Sequence, residues 1–254
     1  MTHTSYASLA DRVVLITGGA SGIGAAFVRA FAAHGARVAF LDIDADAGEV
    51  LVREVAGASG AAPLFVPCDL LDIDVLRAAV TKVHAALGDA AVLVNNAAND
   101  QRHVLSEVTP EEFDWTIGVN LKHVFFAAQA VVPQMRARGG GSIINMSSVA
   151  WIRGAPALPA YAAAKAAIVG FTNSLARLVG PDRIRVNAIA PGMVITDRQR
   201  RLWFKDEQQI AEFRTRQAIP DAVTPDDIAR VALFLASDDS QRITRQCLQV
   251  DGGL

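Results

Sequence analysis

No run in the 254 residues reaches the roughly eighteen uninterrupted apolar positions of a membrane-crossing helix, although 52% of the chain is hydrophobic. Met1 to Asp11 carries no apolar core of a leader, so no secretory signal is expected. The chain has two cysteines, Cys68 and Cys247, each beside a candidate strand and without metal-ligand spacing. They read as buried structural thiols of a reducing, cytoplasmic compartment. His3, His34, His84, His103 and His123 form neither H-x-x-x-H nor H-x-x-E-H, and no catalytic metal is expected. A net charge of −2 argues against a generic nucleic-acid or acidic-membrane partner. No proline-rich linker, charge block or repeat divides the chain, which reads as a single domain over 1–254.

What is present is an alternation of apolar strands and helical stretches. Strand candidates are 13–17, 37–41, 64–67, 91–95, 142–147, 184–190 and 247–250. Helix candidates are 22–34, 45–57, 72–87, 110–137, 157–179 and 225–236. This order predicts an α/β fold, one doubly wound parallel sheet with helices on both faces. Residues 1–10 read as a loose tail. The polar stretch 192–220 breaks the rhythm after a strand's carboxyl end and is a candidate substrate lid.

The first strand, Val13-Val14-Leu15-Ile16-Thr17, runs into glycines at Gly18, Gly22 and Gly24. Behind them Ile23, Phe27, Ala30 and Phe31 recur at helical spacing. Strand, glycine turn and helix N-terminus together make a cradle for a pyrophosphate, using backbone N–H groups and the helix dipole. The next strand ends in Asp42, where a carboxylate can accept hydrogen bonds from a ribose 2′-hydroxyl and repel a 2′-phosphate. Asp44 and Asp46 add negative charge, and the glycine loop has no lysine or arginine, so the expected cofactor is NAD.

Ser148 stands thirteen positions before Tyr161, and Tyr161 and Lys165 are four apart, on one helix face. A free phenol titrates near 10, too high for a neutral-pH base. A cation beside it is expected to lower that value, and Ser148 could hold a substrate oxygen against the phenol.

These motifs resemble the short-chain dehydrogenases/reductases over nearly the whole chain. The resemblance is carried by residues 17–24, Cys68-Asp69-Leu70, Asn95-Asn96-Ala97-Ala98, Asn120, residues 143–148, Tyr161-Ala162-Ala163-Ala164-Lys165 and Pro191-Gly192. It implies a Rossmann-type fold and a catalytic tetrad of Asn120, Ser148, Tyr161 and Lys165. It also implies cofactor contacts from Gly18, Ser21, Gly22, Ile23, Gly24, Asp42, Asp69, Leu70, Asn96, Ala97, Tyr161, Lys165, Pro191, Gly192, Val194 and Thr196. In this scheme Asp69 contacts the adenine and Asn95 stabilises the central sheet. Tyr161 moves the proton, and Lys165 lowers its pKa and holds the nicotinamide ribose. Asn120 interrupts its helix and links Lys165 to solvent through a water. Ala98 stands where the family more often has glycine. Members are commonly homotetramers built on the long helices, here 110–137 and 157–179.

The substrate is read from the polar run Asn99-Asp100-Gln101-Arg102-His103 and from Trp151 and Trp203 as ring platforms. Dense polar groups with flat aromatic faces suit a sugar, whereas steroids and acyl chains want apolar walls. The run also resembles the family's sugar 1-dehydrogenases. The expected substrate contacts are therefore Asn99, Arg102, Ser148, Trp151, Tyr161 and Trp203. Two alternatives stay open. One is a 3-oxoacyl thioester reductase served by the lid cations Arg198, Arg200, Arg201, Lys205, Arg214 and Arg216. The other is a non-catalytic dinucleotide sensor or scaffold, whose expected mark would be a damaged tetrad.

Overall fold

In the computed structural model, which describes residues 5–204 and 206–254, every strand is parallel to its neighbours. The strands are β1 (Val13–Thr17), β2 (Arg37–Asp42), β3 (Leu64–Pro67), β4 (Val92–Asn95), β5 (Gly141–Met146), β6 (Ile184–Pro191) and β7 (Cys247–Val250). They form one seven-stranded sheet in the order β3-β2-β1-β4-β5-β6-β7. The helices are α1 (Gly22–Ala33), α2 (Ala45–Ser59), α3 (Ile73–Leu87), α4 (Pro110–Ile117), α5 (His123–Ala137), α6 (Ala150–Arg153) and α7 (Pro159–Val179). They are followed by α8 (Asp197–Leu202), α9 (Glu207–Arg214) and α10 (Pro225–Ala236).

Because successive strand residues point to opposite faces, the apolar run of β1 serves two cores at once. Val14 and Ile16 pack with Phe27 and Phe31 of α1, Leu51 of α2 and Leu233 of α10. Val13 and Leu15 pack on the other face with Leu76 of α3, Val131 of α5 and Leu175 of α7. A strand buried on both faces has no polar positions to spare, which is why the strands read as unbroken apolar runs rather than alternating ones. Two asparagines that enter the sheet form a relay of side-chain bonds. Asn95 on β4 donates to Asn145 on β5 (2.9 Å), and Asn145 donates to Thr172 on α7 (2.9 Å).

Two expectations change. The stretch 110–137 is not one helix: α4 and α5 are separated by a π-helical turn at Gly118–Lys122, which contains Asn120. The stretch 192–220 carries α8 and α9. Of the supposed loose tail, residues 1–4 lie outside the described residues, but the rest is anchored. Leu9 is 0% exposed within the α1 and α10 core, and the Ser8 hydroxyl accepts a hydrogen bond from the Asp238 N–H (3.2 Å).

Leu9→Ala should therefore cost about 2–4 kcal/mol in denaturant unfolding, the range for emptying a buried leucine site. A loss below about 0.5 kcal/mol would restore the loose-tail reading.

Candidate active site

At β1 the chain turns toward β2 on one side, while β4 lies on the other. Crevices at the carboxyl ends of strands form where the order reverses in this way. Here the two departing loops are bound to each other. Thr17 Oγ1 accepts from the backbone N–H groups of Asn96 (3.0 Å) and Ala97 (3.2 Å), and Asn96 Nδ2 donates to the carbonyls of Thr17 and Gly18. A cleft of about 1450 Å³ opens above them.

The glycines at its floor have separate reasons. A Cβ at Gly18 would lie 2.7 Å from the Ala97 Cα, and one at Gly24 only 1.8 Å from the Gly18 carbonyl oxygen. Those two are demanded by the protein's own packing. At Gly22, by contrast, φ is +55° and a Cβ would meet nothing closer than Thr196 Cγ2 at 3.4 Å. Ser21 precedes α1 without capping it through its side chain, in contrast to Asp44, Asp72 and Thr224 before α2, α3 and α10. The first-turn N–H groups of α1 therefore face the cleft uncapped by that side chain, and this floor fits a pyrophosphate. Asp42 lines the far end, its two oxygens accepting from the N–H groups of Ala20 (2.8 Å) and Asp44 (3.1 Å). Asp69, Leu70, Ile23, Pro191, Gly192, Val194 and Thr196 line the same cleft.

At its other end stand Ser148, Tyr161 and Lys165. Lys165 is 2% exposed, and its Nζ donates to the Met146 carbonyl (2.8 Å) and lies 5.5 Å from the Tyr161 ring centre. Burial without a bonded acid lowers the Lys165 amine to about 7, with Asp100 opposing. The Tyr161 phenol is raised in this cleft, not lowered. Burial drives the phenol upward and the Asp100 carboxylate adds to it, while a hydrogen bond with Ser148 and the charge of Arg198 pull it down. The charge of the lid's Arg198 is the smaller of the two influences that favour the phenolate.

Asn120 is fully buried and lies behind the cleft. Its amide accepts from the Asn99 N–H (3.0 Å) and donates to the carbonyls of Asn99 (3.0 Å) and Thr116 (2.9 Å). With both donors spent, this side chain grips the Asn99 loop. His123 Nε2 joins the same loop at the Ala97 carbonyl (3.0 Å), and burial together with the nearby Lys165 lowers the imidazole to about 4.

The expected substrate contacts divide. Asn99 and Arg102 line the cleft; Trp151 does not and is 37% exposed. On α6 Ala150 and Arg153 face the cleft, and a helix turns about 100° per residue, so position 151 faces away. Trp203 also does not line it: its ring lies under the Arg102 guanidinium, 4.4 Å from the centre. Sequence reasoning missed Asp100 and its partners. Asp100 forms an ion pair with Arg198 of α8 and accepts from Gln199 Nε2 (2.6 Å), while Arg198 also donates to Asn99 Oδ1 (3.1 Å). An acid in the loop facing arginines in the lid was the available signal. Of the remaining lid arginines, Arg200 pairs with Glu207 and Arg214 with Asp221, while Arg201 and Arg216 have no acidic partner among the described residues; Lys205 lies outside them.

Burying Lys165 costs stability. Its folded pKa lies below the unfolded 10.5, so the cost is full below pH 7 and fades as pH rises toward the unfolded value. Lys165→Met should raise stability at pH 6 by about 2 kcal/mol, after allowing for the orphaned Met146 carbonyl, with the gain vanishing near pH 10. Denaturant midpoints across pH check this; a variant less stable than wild type at pH 6 contradicts it.

Comparison with known proteins agrees with this geometry. The family model described as enoyl-(acyl carrier protein) reductase matches residues 18–254. A probable galactose dehydrogenase of Rhizobium meliloti is 51% identical over 254 residues, covering 100% of this chain and 99% of the relative. A D-xylose 1-dehydrogenase of Caulobacter vibrioides is 44% identical over 253 residues, with 100% and 99% covered. The crystal structure of L-sorbose reductase from Gluconobacter frateurii, complexed with NADPH and L-sorbose, superposes with a TM-score of 0.93 at 29% identity and covers 97% of each chain. None of the described helices is long and apolar enough to cross a membrane. The chain belongs to the short-chain dehydrogenase/reductase family, oxidoreductases that act on CH–OH groups with a nicotinamide dinucleotide.

Proposed function

We propose that this protein oxidises an aldose at its anomeric hydroxyl to the lactone, with NAD as hydride acceptor. The observation that carries the reading is the wall of Asn99, Asp100, Arg102, Arg198 and Gln199 around the hydrogen-bonded Ser148 and Tyr161. Polar groups placed so densely suit a polyhydroxylated ligand. The full-length likeness to galactose and xylose dehydrogenases supports the same class.

In this reading Gly18, Ser21, Gly22, Ile23 and Gly24 hold the pyrophosphate, and Asp42 the adenosine ribose. Asp69 and Leu70 flank the adenine. Asn96, Ala97, Pro191, Gly192, Val194 and Thr196 border the nicotinamide half. When bound, the nicotinamide supplies the hydride acceptor. Ser148 holds the substrate oxygen, and Tyr161 takes the proton from the anomeric hydroxyl as the C1–H bond breaks. The sugar's ring oxygen stabilises the positive charge that develops on C1. Lys165 holds the nicotinamide ribose, and Asn120 keeps Asn99 in place. The stretch 192–220, with α8 docked on the Asn99–Arg102 loop, acts as the substrate lid. The thioester-reductase alternative keeps a smaller basic field, because Arg198, Arg200 and Arg214 have acidic neighbours and only Arg201 and Arg216 lack one among the described residues.

A cytoplasmic homotetramer belongs to the same proposal. The free thiols Cys68 and Cys247 suit a reducing compartment, and the exposed Phe113 and Phe125 on α4 and α5 suit burial between subunits.

The reading is tested by initial rates over pentoses, hexoses, acyl thioesters and apolar secondary alcohols at fixed NAD. The highest kcat/KM should fall to an aldose, and activity confined to thioesters or apolar alcohols would end the sugar assignment. Asp42 beside a 2′-phosphate should give NAD at least about tenfold over NADP, or about 1.4 kcal/mol, and Asp42→Ala should relax it. Equal kcat/KM with both cofactors contradicts that. Tyr161→Phe should lower turnover roughly a hundredfold while NADH still binds by fluorescence titration; near wild-type turnover refutes the role.

A further inference from the structure

The closest thing to an unassigned binding device in the molecule is the pair Asp100–Arg198. It joins two elements far apart in sequence, the loop after β4 and helix α8 of the lid, and both side chains line the cleft. The pair is built from behind. Asn120 fixes the Asn99 backbone through two hydrogen bonds of 3.0 Å, Asn99 Oδ1 accepts from Arg198 (3.1 Å), and Gln199 holds the second Asp100 oxygen (2.6 Å). Asn99 Oδ1 also takes the Gln101 N–H (3.0 Å), so the Asn99 side chain is engaged in holding the loop.

Asp100 and Arg198 each keep bonding capacity toward the cleft. A carboxylate oxygen has lone pairs beyond one partner, and a guanidinium has five donors. Side-chain exposures of 20% for Asp100 and 38% for Arg198 leave both within reach of a ligand.

Resting on the sugar reading above, we infer that Asp100 and Arg198 together read the substrate hydroxyl on the carbon next to the one oxidised. A hydroxyl is both donor and acceptor. Asp100 takes its hydrogen and Arg198 donates to its lone pair, each a charge-assisted bond. The pair stands at the reacting end of the cleft: the loop carrying Asp100 leaves β4 beside the end of β5 that leads to Ser148, and Asp100, Arg198, Ser148 and Tyr161 line the same cleft, in keeping with the influence of both charges on Tyr161. A carboxylate there hinders the phenol from ionising, a cost that makes sense if Asp100 serves binding rather than proton transfer. The paired charges sum to zero, which suits a neutral polyol. A substrate lacking the adjacent hydroxyl would leave both groups desolvated without a partner, and sites built this way reject such analogues strongly.

The experiment compares an aldose with its 2-deoxy analogue in wild type, Asp100→Asn and Arg198→Gln, with NADH affinity measured in parallel. Wild type should prefer the aldose by roughly a hundredfold in kcat/KM. Asp100→Asn should lose about tenfold or more on the aldose, mainly through KM, with little change on the deoxy sugar, so that discrimination collapses. Arg198→Gln should collapse the discrimination in the same way, beside a change common to both sugars because its charge also acts on Tyr161, and NADH binding should be unchanged in both. If wild type does not discriminate, or if both variants lose aldose and deoxy sugar equally, the pair only positions the loop and the inference is overturned. If wild type oxidises no aldose, the sugar reading falls by itself. In that case a preference of wild type, lost in Asp100→Asn, for vicinal diols over their monohydroxy analogues supports the pair's role. No such preference overturns it.

Discussion

Parallel pairing on both sides of β1 sets Thr17 opposite Leu41 on β2 and opposite Asn95 on β4. Two chains leave adjacent strand ends in different directions, and their backbones must pass within van der Waals contact at Gly18 and Ala97. Thr17 and Asn96 satisfy the polar groups this crossing would otherwise orphan. The cleft is the space that remains above the crossing. Its floor is the uncapped start of α1, and its walls are the ends of β2, β4, β5 and β6.

The reacting end rests on a different compromise. The Lys165 amine is buried with a carbonyl partner and no bonded acid. Such a group destabilises the fold and is retained where chemistry needs it. Around it the protein keeps charges in pairs: Asp100 with Arg198 at the mouth, and Arg153 near Asp251 (3.7 Å) by the end of β7. The π-helical turn places Asn120 at the back of the same loop that presents Asp100 to the front. One loop, five residues from Asn96 to Asp100, is thereby held at the crossing, at the helix turn and at the lid.

The sheet was legible because parallel strands buried on both faces leave apolar runs that other elements seldom match. The glycine turn was legible because three spacings had to agree at once. The failures lie where local pattern does not carry direction. Trp151 sits three residues after Ser148, yet the turn of α6 points it outward, and no periodicity extends through a four-residue helix. The break at Gly118 was foreseeable only through Asn120, since the apolar spacing on either side suits a continuous helix. Arg198 looked like one surface arginine among several, and its partner stands 98 positions earlier. Leu9 resembled part of a polar tail because a single apolar residue shows no period. Long-range pairing and single-residue anchors come from tertiary packing, which a sequence window does not contain.

The account stands on one chemical event, removal of hydride from the anomeric carbon of a sugar held by Ser148 and Tyr161. Its most direct test is turnover of an aldose deuterated at C1, with the label followed by mass spectrometry. The account predicts one deuterium in the reduced dinucleotide for each lactone formed. Label retained in the sugar product, or a product oxidised at any other carbon, would contradict it.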